Sequence, residues 1–172
     1  MFWNKKKITS NAFKKIEYFG TGWRTVEKQS FSLFGKTYSV HVIAVAKKEL
    51  NETINNLQET ALTSFLDIIV SKKSEIEEAV INHFNKVSSM GDYNHRYREG
   101  YDLSDVPSRF IPNEIEVTRK GECAIYVEDD AEEFGAYDDW DEGFVISVLP
   151  EVKIYSKELY SGYVYGGGSL DN

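Results

Sequence analysis

The segment from Val127 to Phe144 holds the chain's densest set of side chains that could do chemistry. It reads VEDDAEEFGAYDDWDEGF and carries nine carboxylates with no Lys or Arg. Such a set can coordinate a hard cation, because Ca²⁺ takes about six to eight oxygen ligands. It can also steer a basic protein surface toward the chain, or remain solvated and add solubility. The composition alone leaves these three interpretations open.

The spacing of these acids does not match the EF-hand calcium loop. That loop needs ligands at alternate positions, an invariant Gly and a helix on each side. Asp138, Asp139, Asp141 and Glu142 do not follow the pattern. We therefore assign no metal ligands and no cofactor. A divalent-cation-binding domain that uses the same acids is kept as an alternative function, beside a structural domain of unknown role.

Two aromatic residues inside the acidic run favour recognition of a protein. Tyr137 and Trp140 lie among the acids, and large aromatic side chains are frequent anchors of interfaces. In the alternative arrangement Trp140 folds back onto the edge of the sheet. We expect a non-enzymatic protein-binding module that engages a basic partner through residues 128–142, here called the acidic segment. The expected binding residues are Asp129, Asp130, Glu132, Glu133, Tyr137, Asp138, Asp139, Trp140, Asp141 and Glu142.

Sequence motifs of catalysis are missing from the chain. No Gly-rich phosphate loop, Gly-x-Ser-x-Gly elbow or His-Glu-x-x-His pair occurs. Cys123 shares a strand face with apolar neighbours, which is typical of a buried core thiol and not of a nucleophile. We predict no enzyme activity. A third hypothesis, an enzyme using the loop Tyr93–Tyr101 and a histidine, requires a pocket that contains His95 or His41 beside carboxylates.

The distribution of charge indicates the kind of partner. The net charge is −8, and the stretch Gly121–Val152 carries eleven acids with no Lys or Arg. The rest of the chain has 17 acids against its 20 Lys and Arg. Bases and aromatics alternate in Tyr93–Tyr101 as in single-strand nucleic-acid binders, but a strongly acidic neighbour repels a phosphate backbone. We therefore expect a basic protein partner and no nucleic acid.

Cysteine content and hydropathy indicate the compartment. Cys123 is the only cysteine, so no disulfide forms within the chain, as is usual in a reducing cytoplasm. No stretch approaches the ~20 apolar residues that a spanning helix requires. We predict a cytoplasmic protein without membrane contact. The sequence does not indicate an oligomeric state.

The periodicity of apolar residues predicts the elements that carry these groups. Alternation predicts two strands in Trp23–Ala46, with a hairpin turn at Gly35-Lys36. Helical spacing predicts two helices in Glu52–Ser89, broken near Ser71–Ser74, and Leu57 belongs to the apolar stripe of the first. Asn51 or Thr53 can cap the first helix, and Ser74-x-x-Glu77 predicts a capping box at the start of the second. Strands return in the last third: Glu114–Arg119, Glu122–Glu128, Phe144–Leu149 and Val152–Tyr155. The order predicts an α+β fold, a mostly antiparallel sheet with a pair of helices on one face.

The same pass along the chain predicts its domain organisation. The length of 172 residues fits a single domain over residues 1–172. Residues 1–20, which contain five lysines, are predicted to form a helical turn or an extended arm. Residues 166–172, GGGSLDN, are predicted to form a flexible tail.

A set of short motifs resembles a known family. In chain order they are Leu33-Phe34-Gly35-Lys36, Gln58-x-x-Ala61-Leu62-x-x-Phe65, Pro112-x-x-Ile115 and Trp140-Asp141-Glu142-Gly143. Their order is similar to a bacterial family of uncharacterised domains in which a Trp-Asp-Glu-Glu-His-Gly-type motif precedes a strand. The resemblance covers about residues 23–165. The His of that motif is absent before Gly143, so the resemblance assigns no metal or catalytic role here.

What the resemblance implies concerns the partner. Members of that family have no established activity, and some resemble immunity proteins that lie beside bacterial toxins. The implied partner is therefore a toxin. An acidic surface with aromatic residues would suit a basic toxin such as a nuclease.

Overall fold

The computed structural model describes residues 7–47, 50–88, 104, 106–128 and 143–170. Within these ranges the chain forms nine strands and four helices. The strands are β1 Lys7–Ser10, β2 Lys14–Phe19, β3 Gly22–Thr25, β4 Gln29–Leu33, β5 Lys36–Val45, β6 Ile111–Val117, β7 Cys123–Glu128, β8 Phe144–Leu149 and β9 Lys153–Ser156. The helices are α1 Asn56–Ser71, α2 Lys73–Ser88, α3 Val106–Arg109 and α4 Lys157–Gly166.

The nine described strands form one sheet. Its order is β1-β2-β3-β5-β6-β7-β8-β9, and β4 pairs with the first half of β5. Every pair is antiparallel except β5 and β6, which run parallel. Parallel neighbours need a crossover connection, and α1, α2 and α3 all lie in the connection between these two strands. The predicted α+β class, a mostly antiparallel sheet with a helix pair on one face, is confirmed.

The structure has three strands, β3, β4 and β5, in the range where the sequence predicts two. The hairpin of β4 and β5 turns at Phe34-Gly35, one residue before the predicted Gly35-Lys36. Phe34 and Gly35 connect the two strands with φ of 51° and 71°. Positive φ at both central residues suits a two-residue hairpin turn, and Gly adopts it without steric cost. Phe31 and Leu33 are buried while Ser30 and Ser32 are exposed, as the alternation predicts.

Residues 7–19 belong to the sheet. β1 and β2 form an antiparallel hairpin over residues 7–19, where the sequence predicts a helical turn or an extended arm. Phe13 and Ile16 are buried in the core. The exposed Lys14 and Lys15 lie between them. These two lysines interrupt the alternation of apolar residues by which a strand is predicted.

Helix α1 begins with a capping box. The Asn55 side chain accepts a hydrogen bond from the Gln58 amide at 2.9 Å, and the Gln58 side chain accepts one from the Asn55 amide at 3.1 Å. The sequence indicated Asn51 or Thr53 as the cap. Asn55 lies nearer the first buried residue of the helix, and Gln58 completes the reciprocal pair that stabilises a helix start.

Helix α2 follows α1 after a break at Lys72, as the sequence predicts. The capping box expected from Ser74 and Glu77 does not form. Helix α2 already begins at Lys73. Glu77 accepts a hydrogen bond from the Phe34 amide at 2.5 Å and pairs with Lys73 at 3.8 Å. The Glu77 carboxylate, which the spacing predicted to cap α2, therefore binds the distant Phe34 amide instead.

The main core lies between the helix pair and one face of the sheet. Each helix contributes a stripe of buried apolar side chains, and the strands contribute alternate residues. They include Phe65, Ile69, Ile76, Val80, Phe84, Ile115, Ile125 and Ile146. Leu57, which belongs to the predicted stripe of α1, is 58% exposed.

Gln58 is a buried polar residue in this main core. Its side-chain amide donates hydrogen bonds of 3.0 Å to the carbonyls of Val45 and Val117. Val45 is the last residue of β5 and Val117 is the last residue of β6, the two parallel strands. Gln58 therefore joins α1 to both β5 and β6.

Helix α4 covers the opposite face of the sheet, and the sequence analysis did not predict it. Ser156 caps its start and a left-handed Gly167 ends it. The amides of Gly167 and Gly168 both donate to the carbonyl of Gly162, as at many helix ends. Leu170 then packs against a second apolar cluster that contains Tyr160. Part of the predicted flexible tail, residues 166–170, thus ends the helix and contacts the core. No helix in the described part of the chain is long and apolar enough to cross a membrane.

Candidate functional site

The predicted binding residues from Asp129 to Glu142 all lie outside the described residues. The strands on either side of them are described. β7 ends at Glu128 and β8 begins at Phe144, and Val127 pairs with Phe144 in antiparallel register. The acidic segment is therefore joined to two adjacent strands at one end of the sheet.

The elements on either side of the loop Tyr93–Tyr101 meet at the same end of the sheet. The loop Tyr93–Tyr101 also lies outside the described residues. It follows α2, whose His83 and Phe84 rings lie 4.5 Å and 5.8 Å from the ring of Phe144. It precedes β6, whose first residue Ile111 pairs with Glu128. We call this region, where β6 and β8 begin and β7 ends, the loop end of the sheet.

The histidines do not converge within the described part of the chain. His83 packs on Phe144, and burial lowers its pKa to about 4, with a further contribution from Lys86. His41 pairs with Glu114 in parallel register on the opposite face, and its Nδ1 lies 2.9 Å from the carbonyl oxygen of Thr25. His95 is not among the described residues. No group of three His, Cys, Asp or Glu residues that could hold a metal occurs in the described ranges.

Cys123 has the environment predicted for a structural thiol. It is fully buried in the main core. Burial raises the pKa of the thiol to about 12, so it stays protonated at neutral pH and is a poor nucleophile. The prediction of a core cysteine is confirmed.

A buried carboxylate on the α4 face was missed by the sequence analysis. Glu116 is 3% exposed. It accepts hydrogen bonds from the hydroxyls of Tyr126 at 3.1 Å and Tyr165 at 2.5 Å. Burial raises the pKa of Glu116 to about 7, against the opposing effect of the two hydroxyls. Ile115 and Val117 face the main core, so alternation along β6 places Glu116 on the other face. This alternation is the pattern in the sequence from which the position of Glu116 could have been predicted.

A second polar group fastens α4 to the turn between β6 and β7. Tyr163 of α4 donates to Glu122 at 2.6 Å and accepts from Lys120 at 3.0 Å. Thr118 donates to the other oxygen of Glu122 at 2.8 Å. Both oxygens of this carboxylate are therefore occupied, as are both oxygens of Glu116. Through these bonds Glu116 and Glu122 join α4 to β6, β7 and the turn between them.

A cleft of about 240 Å³ lies beside this second group. It opens between α4 and the turn that joins β8 to β9, and its lining includes Glu122, Ser147, Lys153, Tyr160 and Tyr163. A smaller cavity of about 80 Å³ shares Glu122 and Tyr163 with it. Neither cavity contains His41, so the pocket that the enzyme hypothesis requires is not provided by them.

Comparison with protein-family models, with curated proteins and with solved structures finds no match. The resemblance to a family with a Trp-Asp-Glu-Glu-His-Gly-type motif therefore stays a prediction.

Proposed function

We propose that the protein is a non-enzymatic binding module that engages a basic protein through the acidic segment, residues 128–142. The observation that carries the proposal is the concentration of negative charge in a connection between two adjacent strands. Nine of the 28 acids of the chain lie within these fifteen residues. A charge of this density at one end of a sheet raises the encounter rate with a basic surface.

Two acids of the described residues, Glu116 and Glu122, already have hydrogen-bond partners inside the protein. Glu116 and Glu122 accept hydrogen bonds from tyrosine hydroxyls inside the protein. Their function is thus accounted for by the fold. The eight acids from Asp129 to Glu142 lie within fourteen residues of sequence, and Tyr137 and Trp140 would supply the apolar contacts that hold a complex after encounter.

The class of partner follows from charge and from the resemblance. A partner steered by carboxylates carries clustered Lys or Arg, as nucleases do to hold phosphates. The similarity to immunity-type proteins suggests that the partner is such a toxin, and that the protein neutralises it in the cytoplasm. Neutralisation requires only tight binding, so it is compatible with the absence of catalytic motifs.

A capture experiment with matched baits tests the proposal. One variant changes six acids of the segment to Asn or Gln: Asp129, Asp130, Asp138, Asp139, Asp141 and Glu142. A control variant changes six exposed acids elsewhere to the same amides: Glu27, Asp67, Glu75, Glu78, Glu151 and Glu158. Both variants alter the net charge equally, so any difference between them reports the position of the charge.

The expected result is a basic protein that wild type and the control retain at low salt and that the segment variant loses. High salt should weaken the capture, because screening shortens the reach of charges to about 8 Å at physiological ionic strength and less above it. If all three baits retain the same proteins, the acidic segment is a solvated connection and the proposal is wrong.

A further inference from the structure

The contact between α4 and the sheet includes the Glu116 carboxyl group. Glu116 is 3% exposed, and its two oxygens accept hydrogen bonds from the hydroxyls of Tyr165 in α4 and Tyr126 in β7. No Lys or Arg forms an ion pair with it within the described residues. A buried carboxylate without a cation is costly to ionise, because two neutral donors replace only part of its hydration. The docked position of α4 therefore favours the protonated acid.

The groups around Glu116 do not relieve this cost. Among the described residues, the titratable and charged groups that face it come from β6, β7 and α4: Glu114, Tyr126, Tyr160 and Tyr165. Glu114 adds negative charge. Burial raises the pKa of each of the three tyrosines, so they stay neutral at physiological pH. The register partners of Glu116 on β5 and β7 are Ile43 and Ala124, which carry no charge.

Two cationic side chains of this face act on Glu114 instead. Burial raises the pKa of Glu114, Lys157 of α4 and Arg24 of β3 oppose this effect, and Glu128 of β7 adds to it. His41 of β5 is the register partner of Glu114. The acid under α4 is thus left with hydroxyl donors when it ionises.

The contacts of α4 are separate from the main core. Its buried side chain belongs to the second apolar cluster, which contains Ala124, Tyr126, Val145, Tyr155 and Tyr160. Within the described ranges, none of the buried residues of the main core lies in α4. The helix has ten residues and includes Gly162, and such short helices are marginal in water without packing. Opening of an element with few apolar contacts needs less free energy than unfolding of the domain.

We propose that α4 is a pH-controlled lid, which stays docked while Glu116 is protonated and lifts from the sheet as Glu116 loses its proton to water. Lifting hydrates the carboxylate, breaks its bond to Tyr165 and uncovers Tyr126 and Tyr155, which pack on Tyr160 of α4. The pKa of Glu116 is about 7 in the docked state against 4.5 in water. The advantage of docking is therefore complete below pH 4.5 and is lost as the pH rises to about 7. The lid does not depend on the acidic segment or on the proposed protein partner.

Hydrogen exchange of the full chain, followed by mass spectrometry from pH 5 to pH 8, tests the proposal. The measured quantity is the protection factor, which corrects for the intrinsic pH dependence of exchange. The protection of α4 should fall about 50- to 100-fold over this range, because each unit between the two pKa values of Glu116 changes the opening equilibrium tenfold. At pH 8 it should be lower than the protection of α1, since α4 opens without the main core.

Two matched variants assign the pH dependence to one carboxyl group. Glu116→Gln keeps the size of the side chain and cannot ionise, so the protection of α4 should become independent of pH. Glu122→Gln is the control. It weakens the bond that Tyr163 donates, so it should lower the protection of α4 at every pH and leave the dependence on pH intact.

Three results would overturn the proposal. Equal protection of α4 and α1 at pH 8 in wild type would mean that α4 opens only when the domain unfolds. A pH dependence that persists in Glu116→Gln, or one that disappears in Glu122→Gln, would mean that Glu116 does not control the helix. The comparison of α4 with α1 in wild type needs no variant, so it decides the matter even if Glu116→Gln does not fold.

Discussion

The two faces of the sheet are held by different kinds of contact. On the side of α1 and α2, alternate strand residues meet two apolar helix stripes, and rings such as Phe31 and Phe65 contact edge-on at 6.1 Å. On the side of α4, one short helix is fastened by hydroxyls of Tyr163 and Tyr165 that donate to two carboxylates. The first face depends mainly on the area removed from water, and the second combines a smaller apolar cluster with a few directed bonds.

The two faces contribute differently to the free energy of folding and to the placement of α4. Burial of apolar area is non-directional and accounts for most of the free energy of folding. Directed bonds to buried carboxylates add less net free energy, but they fix the position of a helix and respond to pH. We therefore expect core substitutions to unfold the protein, and substitutions under α4 to change its pH dependence.

The largest effect is expected from the centre of the helix-pair face. Phe65→Ala should lower the free energy of unfolding by about 3–5 kcal/mol, because the side chain is fully buried and its removal leaves a cavity. Urea unfolding at pH 7 measures the loss. Leu66→Ala is the matched control, since Leu66 is 40% exposed. Similar losses for both would mean that the apolar face is not the main source of stability.

A somewhat smaller effect is expected from Gln58, the buried polar residue on that face. Gln58→Leu keeps the approximate size of the side chain but removes the two buried hydrogen bonds that the carbonyls of Val45 and Val117 accept from Gln58. The expected loss is about 2–4 kcal/mol, since an unpaired buried group costs about 1–3 kcal/mol. The same urea measurement applies, with Gln29→Leu as the control near the surface. If Gln58→Leu leaves the free energy of unfolding unchanged, the hydrogen bonds of Gln58 do not contribute to the stability of this face.

Opposite pH slopes should distinguish the two faces. The pKa of Glu116 is raised from 4.5 to about 7, so the folded state favours the protonated acid. Its contribution is fully present below pH 4.5 and is lost as the pH rises to about 7. The pKa of His83 is lowered from 6.5 to about 4, so its contribution is present above pH 6.5 and is lost as the pH falls to about 4.

Two variants separate these slopes. Glu116→Gln should be more stable than wild type at pH 8, by up to roughly 3 kcal/mol, because each pKa unit corresponds to about 1.4 kcal/mol. The advantage should vanish near pH 4.5. His83→Gln should instead flatten the loss of stability between pH 6.5 and pH 4. Melting curves across pH 4–8 measure both, and parallel profiles for wild type and Glu116→Gln would contradict the role given to Glu116.

The smallest effect is expected from cations, and it concerns neither face. If the acidic segment serves protein recognition, millimolar Ca²⁺ or Mg²⁺ should leave the melting temperature unchanged within about 1 °C. A cation bound to the native state at 100-fold above its Kd would add about 2.7 kcal/mol. A clear rise for one cation, lost in the variant without the six acids, would favour the cation-binding alternative.

The strands and helices of the helix-pair face were the part of the fold that the sequence predicted best. Phe31 and Leu33 alternate with serines, and Phe65 and Ile69 recur at helical spacing, so local pattern and final burial agree. The strands β1 and β2 were not recognised because lysines interrupt their apolar pattern. Helix α4 was not recognised because KELYSGYVYG contains Gly162 and three tyrosines, and neither Gly nor Tyr favours a helix strongly.

The candidate cleft could not be predicted from spacing at all. Glu122, Lys153 and Tyr160 come from a turn, an edge strand and α4, and only the packed sheet brings them together. The charge of the acidic segment, by contrast, is a local property that the sequence states directly. The proposed protein interface thus rests on composition, while the cleft exists only through tertiary contacts.

The single parallel pair divides the sheet into two sequential halves. Strands β1 to β5 pair only among themselves, and so do β6 to β9, apart from the junction between β5 and β6. That junction joins residues about 70 positions apart, such as His41 and Glu114, whereas hairpins join near neighbours. Because long loops close slowly, each half would assemble early and the junction would form last. The helix crossover that carries the main core would thereby set the overall folding rate.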